Sequence, residues 1–338
     1  MKAILCEQFG GPDLLKLREV PDPIVGENQV LIEVDACGVN FPDLLLIQNK
    51  YQFKPDLPFS PGGEVVGKVI EIGKDVTQFQ VGQTILALCG WGGFAEKVVV
   101  DRDRVFAIPS GLSSETAAST LYTYATSYHA LKDRAKLLSG ESLLVLGAAG
   151  GVGLAAVELG KLMGARVIAA ASTNEKLELC REKGASETIK YTSEDLKTRI
   201  LELTDGRGVD VIYDPVGGDF MEKALRGIAW KGRYLVVGFA NGEIPRIPMN
   251  LPLLKGCSII GVFWSQFSKL EQKQNFENIS QLVQWIKEGK IQQHISRRYS
   301  LKEVPEALQN LLDRKMLGKG VVIIGGRKKN VIQGFIRA

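Results

Sequence analysis

Apolar and polar positions follow two different rhythms along the chain. Over roughly the first 110 residues, short runs such as Gln29-Val-Leu-Ile-Glu-Val-Asp35 alternate with period two, and Gly or Pro interrupts every few residues. Residues 64–72, a turn at Gly73 and residues 81–86 continue that rhythm, which predicts a compact all-β unit with irregular loops. From about Ser113 the texture turns helical, with Glu115 early in an Ala-rich stretch. Between 142 and 261, continuous apolar runs at 143–146, 166–171, 209–213, 234–237 and 258–262 alternate with helical segments. Continuous apolar strands separated by helices predict a parallel sheet covered on both faces. A helix around 277–287, a second helix beginning near Leu301 and a strand over 320–325 follow. That last strand has no obvious partner in the α/β region. The expected division is 1–125, 126–265 and 266–338.

Composition narrows the function classes. The 338 residues carry 42 Lys plus Arg against 38 Asp plus Glu, and the first basic cluster is Arg327, Lys328 and Lys329 near the end, so charge does not point to nucleic acid. The five cysteines lie at 6, 37, 89, 180 and 257 with no CxxC pair, and there are two histidines, His129 and His294. A disulfide framework and a Cys- or His-rich metal site are therefore not expected, and a reducing compartment is. Four apolar residues after Lys2 are too few for the core of a signal peptide, and no run of about 18 apolar residues predicts a membrane span. A cytoplasmic protein is the expectation.

The most informative stretch is Leu143-Leu-Val-Leu-Gly147-Ala-Ala149-Gly150-Gly151-Val152-Gly153, followed by an Ala/Leu-rich helical segment. Strand, glycine turn and helix form the context that a dinucleotide fingerprint requires. Glycines let the pyrophosphate approach backbone N–H groups at a helix N-terminus, where the dipole favours negative charge. A second strand, 166–171, follows at the expected distance. An NAD enzyme places Asp or Glu near its end to hold the ribose 2′-hydroxyl, but no acid occurs from Arg166 to Asn174. Ser172, Thr173, Asn174 and Lys176 stand there instead, with Tyr191 after the third strand. An ammonium and hydroxyl donors suit a 2′-phosphate, so NADPH is favoured over NADH. Lys176 and Tyr191 also read as ordinary surface residues.

These residues, with Cys37-Gly-Val-Asn-Phe-Pro-Asp43, Phe59-Ser-Pro61 and Gly62-Gly63-Glu64, resemble the medium-chain dehydrogenase/reductase superfamily, specifically zinc-free NADPH:quinone oxidoreductases related to zeta-crystallin. The resemblance runs through nearly all of residues 1–325. It implies an α/β fold with a GroES-like irregular β catalytic domain plus a doubly wound Rossmann domain, a cofactor cleft between them, and a C-terminal segment returning to the catalytic domain. Zinc-dependent relatives carry ligands where this chain has Asn40 and Gly63 and near Tyr122, and none of the three supplies a thiolate or imidazole. Without a Lewis acid, alcohol oxidation is disfavoured. What the resemblance implies is hydride transfer to an acceptor that is already electrophilic, a quinone or an alkene conjugated to a carbonyl.

It further implies that Asn40, Asp43 and Tyr51 sit on loops at the cleft and that Thr126 lies near the nicotinamide. Tyr51 is the candidate donor to the acceptor oxygen, or an aromatic wall. Asn40 orients cofactor ribose or substrate, or holds a loop. Asp43 is catalytic, or caps a helix beginning at Leu44, and Thr126 is near the cofactor or bonds back to its own helix. Backbone contacts to the cofactor are expected around Gly238, Phe239 and Ala240 and around Phe263, Trp264 and Ser265. Residues 258–263 would form a sheet edge through which relatives pair into homodimers. The runner-up acceptor is an enone or acrylyl-CoA, suggested by residues 214–218 and 238–245. The contrasting class is a non-catalytic nucleotide- or RNA-binding protein, against which stand the intact glycine turn and the lack of interleaved basic and aromatic residues.

Overall fold

The computed structural model describes residues 1–108 and 111–325, and the basic cluster from Arg327 onward lies outside the described residues. The continuous apolar runs build a six-stranded parallel sheet. Its spatial order is Glu187–Lys190, Arg166–Ala171, Ser142–Leu146, Val209–Asp214, Ile228–Val236 and Ser258–Gly261. The order reverses direction at Ser142–Leu146, which is the switch point of a doubly wound sheet. Alternate residues of that central strand enter different cores. Leu143 and Val145 join one hydrophobic cluster, Leu144 and Leu146 another on the opposite face. Burial on both faces is why the strand shows no polar alternation.

The period-two runs form a second, seven-stranded sheet. Gln29–Gly38 lies near its middle and pairs with Glu64–Ile72, with Lys97–Asp101 and with Lys319–Ile323. The last of these is the strand that lacked a partner, and it runs antiparallel against residues 36–38. Ile295–Ser300 pairs parallel with it at the sheet edge. This edge strand was not predicted, because its Ser-Arg-Arg centre is exposed and carries no apolar rhythm. Nor was the hairpin of Lys2–Leu5 with Lys16–Glu19. The run read as 234–237 is the end of a longer strand, Ile228–Val236, whose early part pairs through an irregularity.

Residues 121–134 link the two sheets as a helical segment with wide turns at Leu121–Ala125 and His129–Arg134, a winding that recurs at functional sites. Helix Gln272–Lys287 begins before the pattern indicated and buries Ile279 and Leu282 in the cluster that holds Leu121 and Tyr128. A single turn, Leu301–Glu303, then leads into helix Val304–Leu312.

Candidate active site

Strand Ser142–Leu146 ends at Gly147, whose φ of +58° is open to glycine at little cost. Helix Gly151–Leu162 starts from Gly150, which has extended geometry. A side chain at Gly153 would place its Cβ 2.3 Å from the Gly147 carbonyl oxygen, so the first helical turn rests directly on the glycine loop. The predicted residues Ala149, Gly150, Gly151, Val152 and Gly153 are thereby brought together, with first-turn N–H groups lacking intrahelical partners. Two contacts brace this turn from outside. Gly318 donates its N–H to the Ala149 carbonyl at 2.8 Å, and the Ser127 hydroxyl donates to the Val152 carbonyl at 2.8 Å. Thr126, next to Ser127, is half-buried, and its hydroxyl makes no hydrogen bond to its own helix.

At the end of the second parallel strand, Lys176 Nζ donates to Ser172 Oγ at 3.2 Å and to the Arg314 carbonyl at 2.9 Å. Tyr191 lies beside them: its phenol is raised by burial, while Ser172 and the Arg314 charge oppose that. Burial, then the nearby Arg314 charge, lowers the Lys176 ammonium. Ser172, Lys176 and Tyr191 therefore converge as the sequence indicated, and Arg314 joins them unpredicted. Arg314 also reaches Asn241 Oδ1 at 2.9 Å, which ties it to the loop carrying Gly238 and Phe239. That loop lies over residues 214–216, where Gly238 and Ala240 donate N–H bonds to the Asp214 and Pro215 carbonyls. Two cations and two hydroxyls around one point form a donor set suited to a phosphate dianion.

The third group lies where the two sheets meet. Asn40 is the residue before helix Phe41–Ile47, and Asp43 reaches back so that Oδ2 accepts the Asn40 N–H at 2.8 Å. Asp43 Oδ1 accepts the Gly62 N–H at 3.1 Å, so both carboxyl oxygens are engaged by backbone. The helix thus begins at Phe41 rather than Leu44, and Asp43 braces its first turn from within. Burial raises the Asp43 carboxyl to about 7, opposed by these N–H groups and by Lys319. The Asn40 side chain is likewise engaged by protein. Nδ2 donates to the Gly38 carbonyl and to Glu64 Oε2, each at 3.2 Å, and Oδ1 accepts from Lys319 Nζ at 2.6 Å.

Lys319 and Glu64 form a pair that sequence reasoning missed. The ammonium donates to the Val39 carbonyl at 2.9 Å and lies 3.7 Å from Glu64 Oε2, with the two residues 4% and 0% exposed. Glu64 Oε1 accepts the N–H groups of Leu121 at 2.6 Å and Tyr122 at 3.2 Å. Burial pushes Glu64 up and Lys319 down, each opposed by the other's charge. One buried cation, its neighbour Gly318 and one carboxylate thus join the glycine turn, the Asn40 loop and the linking helix.

Aromatic residues line the approach. The Tyr51 ring meets Phe53 edge-on at 6.1 Å, and Phe53 stacks on Phe263 at 6.4 Å and 17°. Burial raises the Tyr51 phenol. Trp264 is buried, donates its indole N–H to Asn275 Oδ1 at 3.0 Å and packs edge-on against Tyr122 at 6.0 Å. Ser265 is half-buried, and its carbonyl accepts from the Ser268 hydroxyl. Cys37 is fully buried, with its thiol pushed well up by burial. His129 is buried too, stacked on Phe267 and hydrogen-bonded to Asp133. Among the described residues, no group of three or more His, Cys, Asp or Glu is placed to hold a metal ion.

Known proteins resemble this chain in sequence and fold. Residues 26–110 match the alcohol dehydrogenase GroES-like domain, and residues 151–288 match the zinc-binding dehydrogenase family. The chain is 42% identical over 324 residues to a quinone oxidoreductase-like protein 2 homolog of Nematostella vectensis, covering 95% of this chain and 88% of that protein. The Escherichia coli quinone oxidoreductase, solved in complex with NADPH, superposes with a TM-score of 0.91 at 27% identity, over 96% of this chain and 100% of that one. The Thermus thermophilus quinone oxidoreductase, also solved in complex with NADPH, gives 0.82 at 33% identity, over 96% and 100%.

Proposed function

The chain belongs to the quinone oxidoreductases of the medium-chain dehydrogenase/reductase superfamily and is an oxidoreductase, and from that premise we propose that it uses NADPH to reduce quinones without a metal. The observation that carries the reading is the convergence of Ser172, Lys176, Tyr191 and Arg314, since two cations and two hydroxyls favour the 2′-phosphorylated cofactor. Bound NADPH supplies a hydride. The protein's own part is binding and electrostatics. N–H groups of Gly151, Val152 and Gly153 hold the pyrophosphate, and Gly238, Phe239, Phe263, Trp264 and Ser265 border the cofactor channel. Thr126 contacts the nicotinamide end, and Tyr51 donates a hydrogen bond to the acceptor oxygen, where negative charge develops. Asn40 and Asp43 act through the loop they brace, since their polar atoms are engaged by protein.

The acceptor is tested by following NADPH oxidation with 1,4-naphthoquinone, a simple enone and acrylyl-CoA in parallel. Turnover with the quinone is expected. Turnover with an activated alkene alone would move the chain to that neighbouring class, and salt-sensitive RNA binding without any NADPH oxidation would overturn both. Cofactor choice is tested by Lys176→Ala. Losing a hydrogen bond to a charged group costs about 1.5–3 kcal/mol, so NADPH affinity should fall roughly tenfold to a hundredfold with NADH affinity nearly unchanged. Equal losses would refute the 2′-phosphate assignment.

The edge strand Ser258–Gly261 is largely exposed, and Leu253 and Leu254 protrude from the helix before it. An open apolar edge favours pairing with a second copy, and a homodimer through this edge is part of the proposal. A cytoplasmic location is part of the proposal; the described cysteines are all free, and no described helix is long and apolar enough to cross a membrane.

A further inference from the structure

Three tyrosines near the linking helix have a hydroxyl partner, while Tyr122 and Tyr128 have none among the described residues, and the Tyr128 ring is packed edge-on against Trp285 with Lys132 over it. Tyr124 donates to Glu158 at 2.7 Å, Tyr234 to Asp214 at 2.7 Å, and Tyr213 shares a 2.9 Å bond with Ser127. The Tyr122 hydroxyl makes no hydrogen bond to any described residue, and it is not among the buried side-chain atoms left without a partner. Such a polar atom keeps some accessible surface, through which a ligand or water can meet it.

The space is defined by a missing side chain. A Cβ built on Gly63 would lie 2.8 Å from the Tyr122 hydroxyl and 3.3 Å from its Cε2, so the phenol occupies the volume that any other residue at 63 would take. Gly63 lies between Gly62, which holds Asp43, and Glu64, which holds the N–H of Tyr122 itself. The ring is fixed on its other side by Trp264, which Asn275 anchors. Tyr51 lies close enough for its charge to bear on the Tyr122 phenol, so the two hydroxyl-bearing rings share one region. They differ in support. Tyr51 comes from the loop after helix Phe41–Ile47, while Tyr122 sits on a helical segment whose first N–H groups are held by a buried carboxylate.

We propose that Tyr122 is a catalytic residue whose hydroxyl donates a hydrogen bond to the carbonyl oxygen of the acceptor, with Tyr51 as the second donor from the facing loop. This rests on the proposed reduction of a carbonyl-activated acceptor. Burial pushes the phenol well above its ordinary range, so it stays protonated and able to donate at neutral pH. A donor already aimed at the oxygen where charge accumulates costs no reorganisation during the reaction.

The test compares wild type, Tyr122→Phe, Tyr51→Phe and Gly63→Ala with a series of quinones of graded reduction potential and with the enone. Tyr122→Phe should retain NADPH affinity within about twofold while kcat/KM falls by at least roughly tenfold, the range for losing one such donor. The loss should be largest for the least electrophilic quinone and shrink as the potential rises, a trend that mere misplacement of the ring does not produce. Gly63→Ala keeps the phenol but displaces its hydroxyl, so it should reproduce the defect and add little in the Tyr122→Phe background. A Tyr122→Phe enzyme matching wild type across the series while Tyr51→Phe fails would overturn the proposal. A wild type active only with the enone would refute the quinone reading and leave Tyr122 to be judged on the enone by the same criteria. A wild type inactive with every acceptor would end both.

Discussion

Replacing Lys319 with Met removes the buried cation of the junction while preserving much of its stem. The ammonium satisfies the Val39 carbonyl and Asn40 Oδ1 and lies 3.7 Å from a carboxylate with no exposure. Breaking a buried pair by removing one partner costs about 3–5 kcal/mol. Glu64 keeps three N–H donors, from Leu121, Tyr122 and Asn40, which places the expected loss near the low end, about 3 kcal/mol. Adding Glu64→Gln removes the orphaned charge, so the double variant should lose less than the sum of the singles, with a coupling of about 2 kcal/mol. Urea unfolding of all four proteins, followed by tryptophan fluorescence and circular dichroism, measures this cycle. A pH dependence follows with a fixed sign. Glu64 is already raised by burial, and loss of Lys319 raises it further, so at low pH the lone carboxyl is neutral and the deficit small. The deficit should grow as pH rises through its folded value. Additivity within about 0.5 kcal/mol, or a deficit unchanged between acidic and alkaline pH, would refute the reasoning.

Two other substitutions test neighbouring conclusions. Asp43 is raised by burial to about 7, so protonation of this carboxyl stabilises the fold at acidic pH and that stability is lost as pH rises through about 7; thermal melts should show wild type losing more than Asp43→Asn between acidic and alkaline pH, and parallel curves would contradict this. Ile259→Lys places a charge on the exposed edge strand Ser258–Gly261, which should shift the particle to half its mass in sedimentation if a homodimer forms there; an unchanged dimer would locate the interface elsewhere.

What the sequence revealed, and what it hid, follows from the range of the interactions. The glycine turn was legible because its demands are local. The strand, the backbone at Gly147 and the close contact at Gly153 are specified within a few residues. Ser172 and Lys176 were legible for the same reason, since they sit together at one strand end. Arg314 was not, because it arrives from 138 residues beyond Lys176 through the turn after helix Val304–Leu312. The Asn40 side chain shows the same limit from the other direction. The resemblance implied that it orients cofactor ribose or substrate, or holds a loop, and its hydrogen-bonding capacity is claimed by Glu64, 24 residues away, and Lys319, 279 residues away. Tyr122 was passed over because a tyrosine in a helical stretch reads as packing. Only the missing side chain at Gly63, whose volume the phenol fills, shows where its hydroxyl sits.

The same distinction explains how one fold carries different chemistry. On the proposed reading, the glycine turn and the two sheets would position a nicotinamide cofactor over a junction whose composition local patterning does not specify. Here the junction is filled by Glu64 and Lys319, which pair with each other and share hydrogen bonds with Asn40, and by the phenol beside Gly63, which has no hydrogen-bond partner among the described residues. An internally satisfied charge network contributes little direct polarisation of a substrate. It acts by holding its neighbours still. On that reading, electrophilic assistance comes from groups with donors to spare, among them the hydroxyls of Tyr51 and Tyr122. Such donors strengthen an acceptor that is already electron-poor, but they do not replace a Lewis acid in making an alkoxide from an alcohol. The arrangement, on the proposed reading, suits reduction of a quinone or conjugated carbonyl better than oxidation of an alcohol.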